Sequence, residues 1–207
     1  MDPFITFNEQ ILESLKDIKN LEVECRFGII RDRTFDTNIS KHNYDIIMQF
    51  LESNKAWSKD ILYIVDYFDN TGKRLTVSNN GTNTCIRKQK IHTSNWAIKG
   101  APIDFRISWA VEQPFPETMF NSNRIVKQRT KQRSRFVHNC FIFELTEVSQ
   151  LPDDKDEEEV LSYEVEIELD ISSIEKTSHY IMHSFILKIS DIMNMISENK
   201  LEYVHQV

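Results

Sequence analysis

The chain has 207 residues, of which 40% are hydrophobic and 28% charged, and its formal net charge at pH 7 is −7. This length suits a single domain over residues 1–207 with a sizeable core, and no stretch approaches the roughly 20 consecutive apolar residues that a membrane-spanning helix needs. The opening MDPFITFNEQ lacks the regions of a secretory signal, and Cys25, Cys85 and Cys140 form no C-x-x-C pair, so we expect a soluble, intracellular protein without disulfides or a thiolate zinc site.

Hydrophobic periodicity divides the chain into three helices and eight strands. In chain order, an amphipathic helix over residues 7–19 precedes a strand over 21–29, and a second helix follows over 42–53. Further strands are predicted over residues 61–68, 73–78, 84–91, 103–112, 129–138, 140–148 and 162–170. The last helix begins after Asp170, where Ser172 and Glu175 resemble a capping box, and runs to about residue 198. Its apolar stripe consists of Ile181, Phe185, Ile189, Ile192 and Ile196.

The first and the last predicted strand each carry a row of carboxylates on one face. In LEVECRFG, residues 21–28, Glu22, Glu24 and Arg26 alternate with apolar residues, and SYEVEIELD, residues 162–170, carries three glutamates in the same way. A single such strand is normal where one face of a sheet is solvated. If the two acidic faces converge, their carboxylates repel one another strongly, and a cation is needed between them.

Other strands also separate charged from apolar residues. In RTKQRSRF, residues 129–136, four basic side chains share one face, and IDFRISWAVEQP, residues 103–114, alternates in the same way. Eight strands are enough to close a barrel, and helices that cover the apolar outer faces would leave the charged faces inside. The pattern therefore predicts a barrel with a polar, ion-rich lumen.

Charge is unevenly distributed along the chain. The net charge alone argues against a nucleic-acid binder, because phosphate recognition normally leaves a basic footprint. However, residues 126–135 (VKQRTKQRSR) are strongly basic, whereas residues 153–159 (DDKDEEE) indicate a solvated acidic loop between strands.

An acidic cluster beside a basic cluster is the arrangement required to hold a polyphosphate, with a metal ion on the phosphate oxygens and Lys and Arg neutralising the remaining charge. Ligands that are all oxygens favour Mg²⁺ or Mn²⁺ over zinc. A P-loop is excluded because Gly72-Lys73 is followed by Arg74, and no cysteine opens a glycine-rich phosphate loop.

These segments together resemble the fungal and protozoal type of mRNA-capping RNA 5′-triphosphatase, a branch of the triphosphate tunnel metalloenzymes. The motifs LEVECRFG, DFRISWAVEQPFP, RTKQRSRFVH and YEVEIEL occur in the family's order over about residues 20–170. The resemblance implies an α+β, mainly β fold, an eight-stranded antiparallel β-barrel with flanking helices. It also implies Mg²⁺- or Mn²⁺-dependent removal of the γ-phosphate of nascent mRNA, the first step of cap formation, and Mn²⁺-dependent hydrolysis of nucleoside triphosphates (NTPs).

The same resemblance implies partners and a location. The expected substrates of the protein are RNA with a 5′-triphosphate end and free NTPs, and its expected partner is an mRNA guanylyltransferase. It implies a nuclear protein without membrane attachment, and a homodimer, because fungal members of the family dimerise. No residue of the sequence locates a dimer interface.

The resemblance also implies roles for single residues. Metal ligands are Glu22, Glu24 and Glu168. Glu112 and Glu166 place the attacking water, while Arg87, Lys131 and Arg133 stabilise the developing charge. Phosphate-binding positions are Arg74, Arg87 or its neighbour Lys88, Arg106, Arg129, Lys131 and Arg133, and supporting positions are Arg26, Asp66, Glu144, Thr146 and Glu164.

Between Arg87 and Lys88, the alternation of the strand favours Arg87 as the residue in the lumen, since Ile86 is expected to face outward. Three positions depart from the family pattern. Thr76 stands where relatives often carry an arginine, for which Arg74 can substitute; Arg26 replaces a lysine; and Glu144 replaces an aspartate.

Two other functions remain open at this point. A tunnel hydrolase for inorganic tripolyphosphate or a small organic triphosphate would use the same residues. A non-catalytic module would bind polyphosphate or RNA without metal-dependent turnover.

Overall fold

Eight antiparallel strands close into a barrel in the computed structural model, which describes residues 3–150, 160–171, 177–197 and 202–206. The strands in chain order are β1 (Leu21–Arg31), β2 (Thr34–Asp36), β3 (Ser58–Asp69), β4 (Arg74–Ser78), β5 (Asn83–Lys99), β6 (Asp104–Phe115), β7 (Ile125–His138), β8 (Phe141–Gln150), β9 (Val160–Leu169) and β10 (Glu202–Gln206). The barrel runs β5-β4-β3-β7-β8-β9-β1-β6 and closes where β6 pairs with β5. This confirms the predicted fold class.

Two short strands outside the barrel wall, β2 and β10, were not predicted. They pair with the ends of β1 and β5, respectively. The structure also extends β5 well beyond its predicted end at residue 91. A bulge between Lys90 and His92 shifts the register there, so the alternation along the strand is interrupted and the sequence pattern stops early.

Three helices flank the barrel: α1 (Pro3–Leu15), α2 (Lys41–Ser53) and α3 (Ser178–Ile196). The predicted stripe of α3 is buried throughout. The helix begins later than predicted, at Ser178, where the Thr177 side chain accepts a hydrogen bond from the backbone N–H of Tyr180. The predicted capping box (residues 172–175) and the acidic loop (residues 153–159) lie outside the described residues. None of the described helices is both long and apolar enough to cross a lipid bilayer.

The hydrophobic core lies between the barrel and the helices, on the outside of the strands. Val23 and Phe27 of β1, Trp109 of β6 and Phe185 of α3 are each fully buried in it. Each such side chain contributes about 1.5–3 kcal/mol by burial. Because these residues take one face of each strand, the alternating charged residues necessarily face the lumen.

The helices do not cover the whole barrel, so the prediction of covered outer faces is only partly right. On β3, Ile61 and Tyr63 are 46% and 54% exposed, and Val77 of β4 is 36% exposed. This part of the wall has apolar side chains in contact with solvent.

The β1–β2 hairpin lies across one end of the barrel. Its two-residue turn uses left-handed backbone at Asp32 and Arg33, with φ values of 46° and 67°. Gly28 lies on the lumen face of β1, where a Cβ atom would overlap the carbonyl oxygen of Asp36 and approach the Phe35 ring to 2.8 Å. A glycine is therefore required at this position for the hairpin to close over the lumen.

Candidate active site

The two acidic strands are neighbours in the barrel. β1 pairs with β9 so that Glu24 lies opposite Glu168 and Arg26 lies opposite Glu166. The side chains of Glu24 and Glu166 are 8% and 10% exposed. Like charges directly opposite each other destabilise a sheet unless a cation lies between them. Arg26 supplies part of that charge, at 3.1 Å from Glu24 and 3.0 Å from Glu166.

The basic strand β7 faces the acidic strands across the lumen. Lys131 is 7% exposed and lies 2.5 Å from Asp66, which also accepts a hydrogen bond of 2.6 Å from the Thr76 hydroxyl. Burial opposes ionisation of Asp66, but the Lys131 ammonium and these hydrogen bonds outweigh it, so the pKa of Asp66 is lowered. Thr76, where the resemblance leads us to expect an arginine, therefore helps to hold the Asp66–Lys131 pair.

Arg133 connects β7 to two buried carboxylates. It forms ion pairs with Glu144 and Glu166, and its Nε donates to the Thr146 hydroxyl at 3.1 Å. Burial works against the charged form of Glu166, yet Arg26 and Arg133 together lower its pKa far below the usual value. For Glu144, burial dominates and raises the pKa to about 7, with repulsion from Glu166 adding to it. The cluster thus keeps Glu166 ionised.

The end of the lumen that lies away from the β1–β2 hairpin carries an excess of negative charge. Burial, followed by repulsion from Glu144 and Glu22, raises the pKa of Glu168 to about 8. Burial and repulsion from Glu24 raise the pKa of Glu22 to about 7. Arg74, on β4, pairs at 3.1 Å with Glu112, on β6. A cation at this end would relieve the repulsion.

The residues present fit a hard divalent cation, because the donors are carboxylate oxygens on adjacent strands with uncompensated repulsion among them. In the part of the chain that the structure describes, no three His, Cys, Asp or Glu side chains already converge as a metal site. The reason lies in the ion pairs: Lys88 holds Glu22 and Glu24, and Arg26 also binds Glu24.

The predicted orientation of Arg87 is wrong, because Lys88 faces the lumen. Lys88 forms ion pairs with Glu22 and with Glu24, the latter at 3.1 Å. The Arg87 guanidinium lies on the other face of β5, over the Phe115 ring at 5.6 Å. Ile86, expected outside, pairs in register with Arg74 and shares the lumen face. The alternation gave the wrong face because Ile86, although apolar and buried, lies in the lumen near the end of the barrel.

This orientation makes a matched pair of substitutions informative. In an assay of triphosphate hydrolysis, the activity that the resemblance implies, Arg87→Met should leave phosphate release within about twofold of wild type, as expected of a change at an exposed position. Lys88→Met should lower it by about 10²-fold, because it removes a lumen cation from the phosphate-binding positions. Steady-state assays of both variants on the same substrate check this, and equal losses in the two variants would contradict the orientation.

The remaining candidate residues lie toward the hairpin end. Arg129 pairs with Glu164 at 2.5 Å, and Thr37 donates to the same carboxylate at 3.1 Å. Arg106 donates to the Asn95 side chain at 2.8 Å and stacks on Phe35, with 4.5 Å from its guanidinium carbon to the ring centroid.

Sequence reasoning missed three residues at this end of the lumen and gave no role to Arg135 on β7. Asn95, Thr37 and Phe35 carried no motif, although a glycine on the charged face of β1 was a sign that another segment approaches there. Arg135 was placed on the basic face without a role, and its Nε lies 3.6 Å from Glu144.

Comparison with known proteins gives one family. The family model described as mRNA capping enzyme, beta chain, matches residues 40–202. The matched range excludes Glu22 and Glu24, whose place in the site depends on the pairing of β1 with β9. No curated protein matches the chain.

Solved structures show the same fold at low sequence identity. The S. pombe RNA triphosphatase Pct1, in complex with the Spt5 CTD, is 15% identical with a TM-score of 0.79, covering 94% of each chain. Pct1 alone is 16% identical with a TM-score of 0.76, covering 97% of this chain and 95% of the other. The Mimivirus capping enzyme triphosphatase is 14% identical with a TM-score of 0.60, covering 94% and 98%.

Proposed function

The chain belongs to the family of mRNA capping enzyme beta chains, and from that premise we propose that it is an RNA 5′-triphosphatase. It would remove the γ-phosphate from the 5′ end of nascent mRNA and leave a diphosphate end. The observation that carries this proposal is the lumen itself: a row of buried and partly buried basic side chains on β7 faces an excess of carboxylates on β1, β6 and β9. This is the charge arrangement that a triphosphate requires.

In this proposal the basic residues bind the triphosphate. Lys131 and Arg133 neutralise charge on the γ-phosphate, with Arg129, Arg106 and Lys88 on the phosphates beside it. Arg129, Lys131 and Arg133 are held in place by acidic partners, so little reorganisation of these three is needed when charge develops. Ionised Glu166 has this supporting role, because it fixes both Arg26 and Arg133.

Glu112 and Glu166 orient the attacking water, and Arg74 holds the Glu112 carboxylate. The water oxygen bonds to the γ-phosphorus, the bond from that phosphorus to the bridging oxygen of the β-phosphate breaks, and inorganic phosphate leaves. No covalent enzyme intermediate forms. A divalent cation held by Glu22, Glu24 and Glu168 would supply charge neutralisation on the phosphate oxygens, for which Mg²⁺ or Mn²⁺ is suited.

The proposal extends to the setting of the reaction. The protein would act in the nucleus, supply diphosphate-ended RNA to an mRNA guanylyltransferase and hydrolyse free NTPs with Mn²⁺. A homodimer is part of the same proposal. Membership in a family described as mRNA capping enzyme, beta chain, supports the capping role, and the other points rest on the resemblance to fungal and protozoal triphosphatases.

The test is release of labelled γ-phosphate from 5′-triphosphate RNA with Mg²⁺, with Mn²⁺ and with a chelator. We expect release that depends on the metal, with the β-phosphate left on the RNA. Unlabelled RNA ends and inorganic tripolyphosphate are then compared as competitors. If tripolyphosphate is hydrolysed and RNA ends neither react nor compete, the protein is a hydrolase for small triphosphates; binding without release under any metal would leave a binding module.

A further inference from the structure

We infer that Lys88 is an exchangeable counter-ion of the candidate metal site, which changes partner when a divalent cation is bound. Its ammonium holds Glu22 and Glu24 together, and it releases both carboxylates to the cation and turns to the phosphates of the substrate. This inference depends on the metal ligands named in the proposed function and adds an occupant that competes for them.

The geometry places one ammonium on two carboxylates that would also bind the metal. Lys88 Nζ forms ion pairs with Glu22 and with Glu24, the latter at 3.1 Å. The side chains of the two glutamates are 15% and 8% exposed, whereas that of Lys88 is 29% exposed. The lysine is therefore the most solvent-accessible member of the group and is the one free to move.

Both partners of Lys88 are proposed metal ligands, whereas Arg26 shares only Glu24 with it and is also held by Glu166. Arg133 is bound by Glu144, Glu166 and Thr146, and Lys131 is bound by Asp66, none of which is a proposed metal ligand. In the described set of ion pairs, the partners of Lys88 are Glu22 and Glu24 alone. A cation that takes these carboxylates therefore leaves Lys88 without an acidic partner.

Electrostatics and side-chain flexibility favour an exchange over a shared site. A divalent ion and an ammonium on the same two carboxylates repel each other strongly in a space of reduced dielectric. Lysine carries its charge on a flexible four-carbon stem with three donors, so it can change partner without a backbone shift. The backbone of Lys88 pairs with Glu112 on β6, so the released ammonium stays beside the residue that we propose orients the water.

Mn²⁺ binding to the chelator-treated 207-residue chain, measured by titration calorimetry without substrate, tests this exchange. Lys88→Met removes the competing charge and is expected to bind Mn²⁺ about tenfold or more tightly than wild type. Lys131→Met is the matched control, since it removes an equally charged lumen lysine that contacts no proposed ligand, and its affinity should change much less. Lys88→Arg keeps a charge that can bind both carboxylates and should not gain affinity.

Far-UV circular dichroism establishes that each variant is folded, and Lys88→Gln, which keeps a hydrogen-bonding side chain, replaces Lys88→Met if the latter does not fold. In turnover, Lys88→Met and Lys88→Gln should reach half-saturation at lower Mn²⁺ and show a lower kcat, whereas Lys88→Arg should not reach half-saturation at lower Mn²⁺. A purely structural lysine would not produce this opposite change in the two parameters.

Unchanged or weaker Mn²⁺ binding by folded Lys88→Met and Lys88→Gln would overturn the inference, as would wild-type protein that binds no Mn²⁺. The outcome is separable from the proposed function. Wild type that hydrolyses RNA ends while the variants bind Mn²⁺ as wild type does would refute the exchange alone, whereas tighter binding by the variants without any hydrolysis of RNA would refute the function alone.

Discussion

Arg133→Met is expected to destabilise the protein by about 3–5 kcal/mol, the usual cost of removing one partner from a buried ion pair. Arg133 is the shared cation of Glu144 and Glu166, whose side chains are 6% and 10% exposed. Arg26 still neutralises part of the charge on Glu166, but Glu144 then keeps only Arg135, at 3.6 Å. Urea unfolding in the presence of a chelator measures the loss.

Arg135→Met is the matched control for this prediction. It removes the same charge from the same face of β7, but the Arg135 side chain is 39% exposed and less tightly paired. We expect it to cost about 1 kcal/mol or less. Equal losses in the two variants would contradict the claim that the pairs of Arg133 are the ones that stabilise the lumen.

Arg133→Met should also lower phosphate release by about 10²–10³-fold, because Arg133 is proposed to stabilise charge that develops on the γ-phosphate. The stability loss should shrink at lower pH, since the carboxylates left without Arg133 can then take up a proton. Assays below the unfolding transition separate the two effects. A folded Arg133→Met variant with wild-type turnover would remove Arg133 from the proposed site.

Glu168→Gln should abolish most of the hydrolysis and yet stabilise the chelator-treated protein at pH 8. Glu168 has its pKa raised from the ordinary 4.5 to about 8 by burial and by neighbouring carboxylates. Below pH 4.5 the folded and unfolded chains both bind the proton, so the residue costs nothing. Between pH 4.5 and about pH 8 the unfolded chain releases the Glu168 proton while the folded chain retains it, so the free energy of unfolding falls as pH rises. Above about pH 8 the carboxylate is ionised in both states, and the loss of stability is complete.

Glutamine removes this cost because it carries no charge at any pH. The variant should therefore be more stable than wild type at pH 8 by an amount on the order of 2–4 kcal/mol, with a flatter pH dependence. Thermal unfolding of both proteins from pH 5 to pH 8.5 in chelator measures this. Added Mn²⁺ should stabilise wild type at pH 8 and have little effect on the variant.

Glu147→Gln, a substitution on the outer face of β8, serves as the control and should change neither the pH slope nor turnover.

Phosphate release by Glu168→Gln should fall by at least about 10³-fold, in line with the loss of a ligand that holds a catalytic ion. A variant that is destabilised at pH 8, or that retains turnover, would show that Glu168 is not part of a repelling, cation-binding cluster.

The strand alternation correctly predicted which face of most strands lines the lumen, because the same alternation places apolar side chains in the core and charged side chains in the lumen. Val23 and Phe27 of β1 are needed outside to pack on the helices, so Glu22, Glu24 and Arg26 must face inward. The rule failed on β5, where Ile86 lies in the lumen and Lys88 follows it. A period of two assigns residues to two faces, but it cannot tell which face is inside when both carry a mixture of apolar and charged side chains.

Properties that depend on local periodicity were determined by the sequence alone. These are the eight barrel strands, the buried stripe of α3 and the separation of acidic from basic strands. They follow from residue spacing, since side-chain direction repeats every two or 3.6 residues whatever the rest of the chain does.

Properties that depend on which strands become neighbours were decided by the tertiary structure. Glu24 meets Glu168 across 144 positions of sequence because β1 and β9 pair, and Phe35 reaches Arg106 because the hairpin folds over Gly28. The pKa values near 7 and 8 arise in the same way, from burial combined with repulsion between carboxylates on different strands. Such energies depend on distance in space, which local sequence patterns do not specify.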